Sequence, residues 1–220
     1  MFFLKRRVKM SKPKILVFAS GSKEGGGSGF QELVENSRTG VLEAEIIGVV
    51  SNILRGGVQR KSMNLKIPFY HMDKFAEQNY QRIMERLKPD YICLSGWLKF
   101  VRGLPISRTI NIHPGIPGRF GGKDMFGHHV HKAVIEAFKR GEITETAVTM
   151  HFVDNQYDHG PIFFQYPILI REDDTVDSLG ERVNKIEHAW QSYITNLVVH
   201  HYIRLEGQKV TVPENYPWLP

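Results

Sequence analysis

Two short apolar runs near the start of this chain constrain its fold more than any other feature: residues 15–19 (Ile-Leu-Val-Phe-Ala) and residues 46–51 (Ile-Ile-Gly-Val-Val-Ser). Both are nearly continuous rather than alternating. A strand reads this way when both of its faces are covered, as in a parallel sheet with crossover helices above and below. Residues 91–95 and 109–113 read as two further strands, the second stopped by Pro114. Helical patterns lie between them. Residues 30–36 form one, and residues 74–87 form another with Asp73 as N-cap and Phe75, Ile83 and Leu87 as its buried stripe. Residues 128–139 form a third. The alternation predicts an α/β protein with a Rossmann-like, doubly wound, mostly parallel sheet.

The pattern then changes. Residues 147–153 and 162–170 are two strands with no helix between them, so the C-terminal strand pair is expected to be antiparallel. A long last helix spans about 176–204, with Leu179, Val183, Ile186, Trp190, Tyr193 and Leu197 recurring at three- and four-residue steps as its buried face. No repeat or linker interrupts the chain, and residues 14–220 read as a single domain.

Composition excludes several classes. The chain has 29 basic and 23 acidic residues among 220, a formal charge of +6. Six of the bases fall within residues 1–14, which hold no acid, so residues 15–220 balance at 23 of each sign. The basicity belongs to a leader, residues 1–13, expected to be disordered, and gives the domain no nucleic-acid footprint. Its apolar residues precede its charges and form no adequate hydrophobic region, so it makes a poor signal peptide. No apolar run reaches ~18 residues, which argues against a membrane span. A lone cysteine, Cys93, leaves no disulfide framework and no CxxC motif, and points to a reducing, cytoplasmic setting. In an apolar strand it reads as a small buried hydrophobe.

Three features can carry chemistry. The loop over residues 21–29 holds five glycines and precedes a helix, so its amides and the helix N-terminus can cradle an anion. Its spacing matches neither GxGxxG nor GxxxxGK[ST], and a plain β–α connection is the alternative. On the strand over 109–113, Asn111 and His113 share a face. An amide donor beside a group that titrates near neutrality suits acyl transfer, though strand-end polar residues satisfied by backbone read the same way. Asp158, before Gly160-Pro161, is a turn former that becomes functional if the fold brings it to His113, where it would raise the imidazole pKa and organise a water. Asp154 competes for that role. The histidines at 128, 129 and 131 lack acidic or cysteine partners in a familiar ligand set, so no metal is expected.

In this order the motifs resemble the folate-dependent formyltransferase family. The resemblance covers residues 14 to about 204 and rests on residues 110–114 (Ile-Asn-Ile-His-Pro), 148–153 (Val-Thr-Met-His-Phe-Val) and 158–162 (Asp-His-Gly-Pro-Ile), with 89–98 and 182–189 in support. It implies the formyltransferase fold and transfer of formyl from 10-formyltetrahydrofolate to the amine of glycinamide ribonucleotide, by a monomer or weak homodimer. It also implies roles. Asn111 would bond the formyl oxygen, His113 would be general acid and base, and Asp158 would hold His113. Leu98, Lys99, Phe100 and Val101, with Asn111 and Asp154, would take the folate. Gly27, Ser28 and Gly29 would cradle the phosphate, and Glu187, with Asn184 on the same helix face, would meet the ribose. An amino sugar nucleotide is the alternative acceptor, and a silent nucleotide-binding module the alternative outside catalysis. The chain departs from the family in an inserted stretch at residues 23–26, in Gly29 where asparagine is expected, and in residues 115–122. Lys23, in the insertion, is the nearest cation that could fold over the phosphate.

Overall fold

The computed structural model describes residues 11–220; the first ten residues of the basic leader lie outside them. The chain begins with β1 (Lys14–Phe18), α1 (Ser28–Thr39), β2 (Glu45–Ser51), α2 (Gly57–Asn64) and β3 (Phe69–His71). It continues through α3 (Glu77–Leu87), β4 (Tyr91–Ser95), β5 (Thr109–His113), α4 (His128–Lys139), β6 (Glu145–Phe152) and β7 (Ile162–Leu169). Then follow α5 (Val176–Val199) and a hairpin of β8 (Arg204–Glu206) and β9 (Lys209–Thr211).

Seven strands form one sheet in the order β3-β2-β1-β4-β5-β6-β7. The first five pair in parallel, and β6 runs antiparallel to both β5 and β7. The chain winds outward from β1 through β2 to β3, then returns to lay β4 on the other flank of β1. The switch point of the winding therefore lies between β1 and β4, and open α/β sheets bind ligands beyond the strand ends at that point.

The continuous apolar runs follow from packing on both faces. Ile15 and Val17 join a core that includes Phe30 and Leu33 of α1 and Val130 and Val134 of α4. Leu16 and Phe18 face the opposite way, into a smaller core with Tyr80, Leu94 and Trp97. All four β1 side chains are fully buried, each contributing roughly 1.5–3 kcal/mol.

Several boundaries differ from expectation. Asp73 caps no helix: α3 starts at Glu77 with Ala76 as its N-cap and no side-chain cap. Phe75 meets the Trp97 ring edge-on at 5.8 Å, which holds its segment off the helix. The short elements α2 and β3 carry no periodic signal; only Gly57, Val58 and Ser62 of α2 are buried. The last helix stops at Val199, five residues early, where His201 takes a left-handed φ of 62° and the β8–β9 hairpin begins.

The apolar stripe of α5 is half right. Leu179 and Val183 are buried, but Tyr193 is exposed, and the lower half of the helix buries Gln191, Ser192, Ile194, Thr195 and Val198 instead. Trp190 and Tyr193 turn to another surface, where they meet Trp218 at ring separations of 4.7 and 6.5 Å. The C-terminal segment also reaches the edge of β7, whose Gln165 amide donates to the Trp218 carbonyl at 2.8 Å.

Candidate active site

The strand β5 sets the geometry. Ile110 and Ile112 join the main core, so Asn111 and His113 project together from the other face. In the antiparallel β5–β6 pairing Asn111 lies directly opposite His151, and opposed residues share a face. The turn between β6 and β7 then folds back and adds Asp158. Four polar side chains thereby converge: Asn111, His113, His151 and Asp158.

Their hydrogen bonds assign the protons. The Nδ1–H of His151 donates to the Phe152 carbonyl at 2.8 Å, leaving a lone pair on Nε2. The Asn111 amide donates to that Nε2 at 3.1 Å and to Asp158 Oδ1 at 3.3 Å. Asp158 Oδ2 accepts from the Gly122 amide at 3.0 Å. His113 donates its Nε2–H to the Phe120 carbonyl at 2.8 Å. Its Nδ1 stands 3.7 Å from Asp158 Oδ2, beyond a direct bond. Nδ1 is therefore the atom of His113 free to take and give a proton.

Electrostatics runs against one expectation. Burial pushes the His113 imidazole below its ordinary value, and this outweighs the raising effects of Asp158 and the Phe120 carbonyl. A carboxylate beside an imidazole does favour its charged form, but here desolvation wins. For Asp158 the balance is reversed. Burial alone would raise it, yet His151, His113 and the Gly122 amide together hold it below the usual carboxylate range.

Backbone strain supports the carboxylate. Asp158 adopts a left-handed φ of 46°, uncommon for a non-glycine residue. A Cβ on Gly160 would fall 1.9 Å from the Phe152 carbonyl oxygen, and one on Gly121 would fall 3.0 Å from Asp158 Cβ. Gly160→Ala is expected to displace the Asp158 turn and destabilise the fold by roughly 1–3 kcal/mol, as overpacking does. A thermal melt should drop by several degrees, at roughly 2–4 °C per kcal/mol for a chain of this size. An unchanged melting temperature would show that the turn gives way freely.

Asp154 does not reach His113. Its carboxylate accepts from the Gln156 amide at 2.8 Å and contacts His159 Nδ1 at 2.6 Å. It lines, with Leu98, Lys99, Phe100, Val101 and Asn111, a cleft of about 290 Å³ whose floor holds His113 and Asp158. The walls are largely apolar, from Trp97, Met125, Phe126 and Val153. At the cleft wall the Phe100 and Tyr157 rings meet at 4.6 Å, tilted by 43°, and the Arg102 guanidinium covers Phe100 at 4.8 Å.

A second cavity, about 220 Å³, opens on the other side of β4 and β5. Gly26, Gly27, Ser28 and Gly29 line it from the N-terminus of α1. Gly27 is the N-cap, in the left-handed region at φ 72°. Asn184, Glu187, His188 and Gln191 line it from one face of α5. Gly29 has no room for a side chain: a Cβ would fall 2.3 Å from Ser95 Oγ and 2.9 Å from Gln191 Oε1. That crowding explains glycine where the resemblance leads one to expect asparagine.

Glu187 borders both cavities. Burial pushes its carboxyl up to about 7, against the lowering effect of Asn184, whose amide donates to it at 3.5 Å. Lys23 does not line the second cavity. Arg60 holds its loop away, donating to the Lys23 and Glu24 carbonyls at 2.9 Å each.

Among the described residues no group of three or more His, Cys, Asp or Glu could hold a metal ion. His131 is buried, and burial with the nearby His128 and His113 lowers it to about 4. Cys93 is buried in β4, where desolvation pushes its thiol up to about 12.

His151 had no role assigned from sequence. Its place beside Asn111 depends on the β5–β6 register, and the 148–153 run gave only its type and alternation.

Comparison with known proteins supplies an independent reading. Residues 13–196 match the family model described as formyl transferase. The chain is 31% identical, over 84% of its length, to "Phosphoribosylglycinamide formyltransferase, chloroplastic" of Vigna unguiculata, and spans 60% of that protein. It is 29% identical to "Phosphoribosylglycinamide formyltransferase" of Bacillus subtilis, over 80% of this chain and 90% of the relative. Among solved structures, glycinamide ribonucleotide transformylase 1 of Symbiobacterium toebii superposes with a TM-score of 0.78 at 25% identity, covering 92% of this chain and 95% of that one.

Proposed function

The chain belongs to the formyl transferase family, and from that premise we propose that it transfers the formyl group of 10-formyltetrahydrofolate to the amine of glycinamide ribonucleotide, a step of purine biosynthesis. The observation that carries this reading is the convergence of Asn111, His113 and Asp158 in the apolar cleft, which shares Gly96, Ile112 and Glu187 with a second cavity headed by a helix N-terminus. The apolar cleft suits the flat donor, with Leu98, Lys99, Phe100, Val101 and Asp154 around its ring. The second cavity suits a phosphorylated acceptor. Its phosphate sits on the backbone of Gly27, Ser28 and Gly29, where the α1 dipole favours an anion, and its ribose lies against Glu187.

The hydrogen-bond pattern supports a sequence of steps. The acceptor amine attacks the formyl carbon, forming a C–N bond and driving electrons onto the formyl oxygen. Both N–H groups of Asn111 are engaged at rest, so one must be released to meet that oxyanion. The longer bond, to Asp158, is the one exchanged. The ammonium proton passes to His113 Nδ1, and the imidazolium so formed turns Asp158 from Asn111 towards itself. His113 then delivers the proton to N10 of the donor as the C–N10 bond breaks. Tetrahydrofolate and the formylated amine leave, and no proton is gained or lost. Residues 14–220 act as the catalytic unit. Among the described residues no helix is long and apolar enough to cross a membrane.

The test is formyl transfer by the purified protein, followed by mass spectrometry of the product, with glycinamide ribonucleotide and an amino sugar nucleotide in parallel. Turnover with the first supports the reading. Turnover with the second alone reassigns the acceptor, and turnover with neither leaves a nucleotide-binding module.

Glu187 gives a separate expectation. A carboxyl with a pKa of about 7 accepts hydrogen bonds from ribose hydroxyls in its ionised form. The KM for the acceptor should therefore fall as pH rises through about 7, and Glu187→Gln should flatten that dependence. A profile identical in the variant would remove Glu187 from the acceptor site.

A further inference from the structure

The floor of the second cavity holds a buried amide whose nitrogen is unused. Gln191, on α5, is only 2% exposed. Its Oε1 accepts from Ser95 Oγ at 3.3 Å, while its Nε2 meets no acceptor among the described residues. That nitrogen is not among the fully buried side-chain atoms left without a partner in the described residues, so it opens onto the cavity that Gln191 lines. Both Gln191 and Ser95 line the cavity, and both press against the first turn of α1, where Gly29 leaves them room. The amide thus lines the same cavity as Gly26, Gly27 and Ser28.

Other candidates carry less. The open groove near Lys12 and Lys66 has no buried polar group among its lining residues. The aromatic surface around Trp190 and Trp218 is covered by the chain's own C-terminal segment.

We propose that Gln191, oriented by Ser95, is a phosphate-binding residue of the acceptor site, donating its Nε2–H to an oxygen that the α1 amides hold from the other side. The inference rests on the reading of this cavity as the acceptor-phosphate site. It adds a side-chain donor from α5 to a site otherwise made of backbone. Ser95 acts through Gln191: its hydroxyl keeps Oε1 turned away from the anion, so that the amide presents its donor end. With the carbonyl end presented instead, the same residue would repel phosphate.

The test compares glycinamide ribonucleotide with its dephosphorylated riboside, in wild type and in Gln191→Met, a flexible side chain of similar length without the donor. Losing one hydrogen bond to a charged group should raise the KM for the phosphorylated acceptor roughly tenfold to a hundredfold. The riboside KM should not move, and the KM for the formyl donor in the other cleft should stay within about twofold. Inorganic phosphate, as a competitive inhibitor, should weaken in parallel. Ser95→Ala, which leaves the amide in place but frees its orientation, should show a smaller change of the same kind. If Gln191→Met does not fold, Ser95→Ala carries the test.

Wild type that fails to prefer the phosphorylated acceptor would overturn the phosphate reading of the cavity and this proposal with it. Wild type that does prefer it, with the preference intact in both variants, would overturn Gln191 alone and leave the backbone of α1 as the site. Equal losses for both acceptors would make Gln191 a buttress between α5 and β4, and would also overturn it.

Discussion

Replacing His113 with alanine should lower turnover by at least ~10²-fold, the scale on which a positioned acid/base group contributes. The side chain is 3% exposed and bonded through Nε2 to the Phe120 carbonyl, so no other imidazole can take its place at the reacting atoms. His151 is near, but its own Nδ1 is bound to a backbone carbonyl and its Nε2 to Asn111. The sign of the pH dependence follows from the direction of the shift. Burial lowers the His113 pKa below its ordinary 6.5, so the neutral base survives to lower pH than a free imidazole. The acid limb of kcat, measured at saturating acceptor, should therefore lie below 6.5. Asp158→Asn removes a charge that raises His113 while keeping a group able to accept from the Gly122 amide. That variant should lose a comparable factor in turnover and move the acid limb further down. An acid limb that stays in place in Asp158→Asn would detach Asp158 from His113, and turnover above a third of wild type in His113→Ala would remove the imidazole from the reaction.

The second large effect is expected at Asn111. Removing a donor aimed at a developing oxyanion typically lowers turnover ~10²–10³-fold, and Asn111→Ala should lose this in kcat, with little change in either KM. A rise in KM alone would make Asn111 a binding residue. The partner test is His151→Phe. With Nε2 gone, the Asn111 amide loses its 3.1 Å anchor and is drawn to Asp158, so turnover should fall by about tenfold, less than for Asn111 itself, since proximity errors of this kind are partial. Because His151 acts through Asn111, the double variant should be no worse than Asn111→Ala alone. Full additivity of the two losses would show that His151 works independently.

Much of the site was legible before any fold was known, because it depends on residue type and on spacing within one strand. Asn111 and His113 share a face by the two-residue period of a strand, and the glycine loop after β1 announces a close backbone approach. Residues 98–101 and Asp154, which the resemblance names for the folate, border one cavity with Asn111. What escaped lay in pairings between distant segments. His151 becomes a partner of Asn111 only in one antiparallel register, and the choice between Asp154 and Asp158 turns on a left-handed residue in the nine-residue connection between β6 and β7. Sequence offers Lys23 only as the nearest cation to the phosphate loop, whereas Arg60, from α2, decides where that loop lies.

The sequence by itself determined the alternation of strand and helix, the burial of β1 on both faces and the chemical types available to the site. Each of these is a local matter: a run of five apolar residues, a period of two or 3.6, a glycine that permits a positive φ. Tertiary structure alone decided the protonation pattern and the balance of charge. His113 is pushed down rather than up because desolvation outweighs one carboxylate, and Glu187 rises because desolvation outweighs its hydrogen bond from Asn184. Both are differences between large opposing effects, and each depends on how deeply the other segments bury the group, a quantity that no stretch of sequence contains on its own.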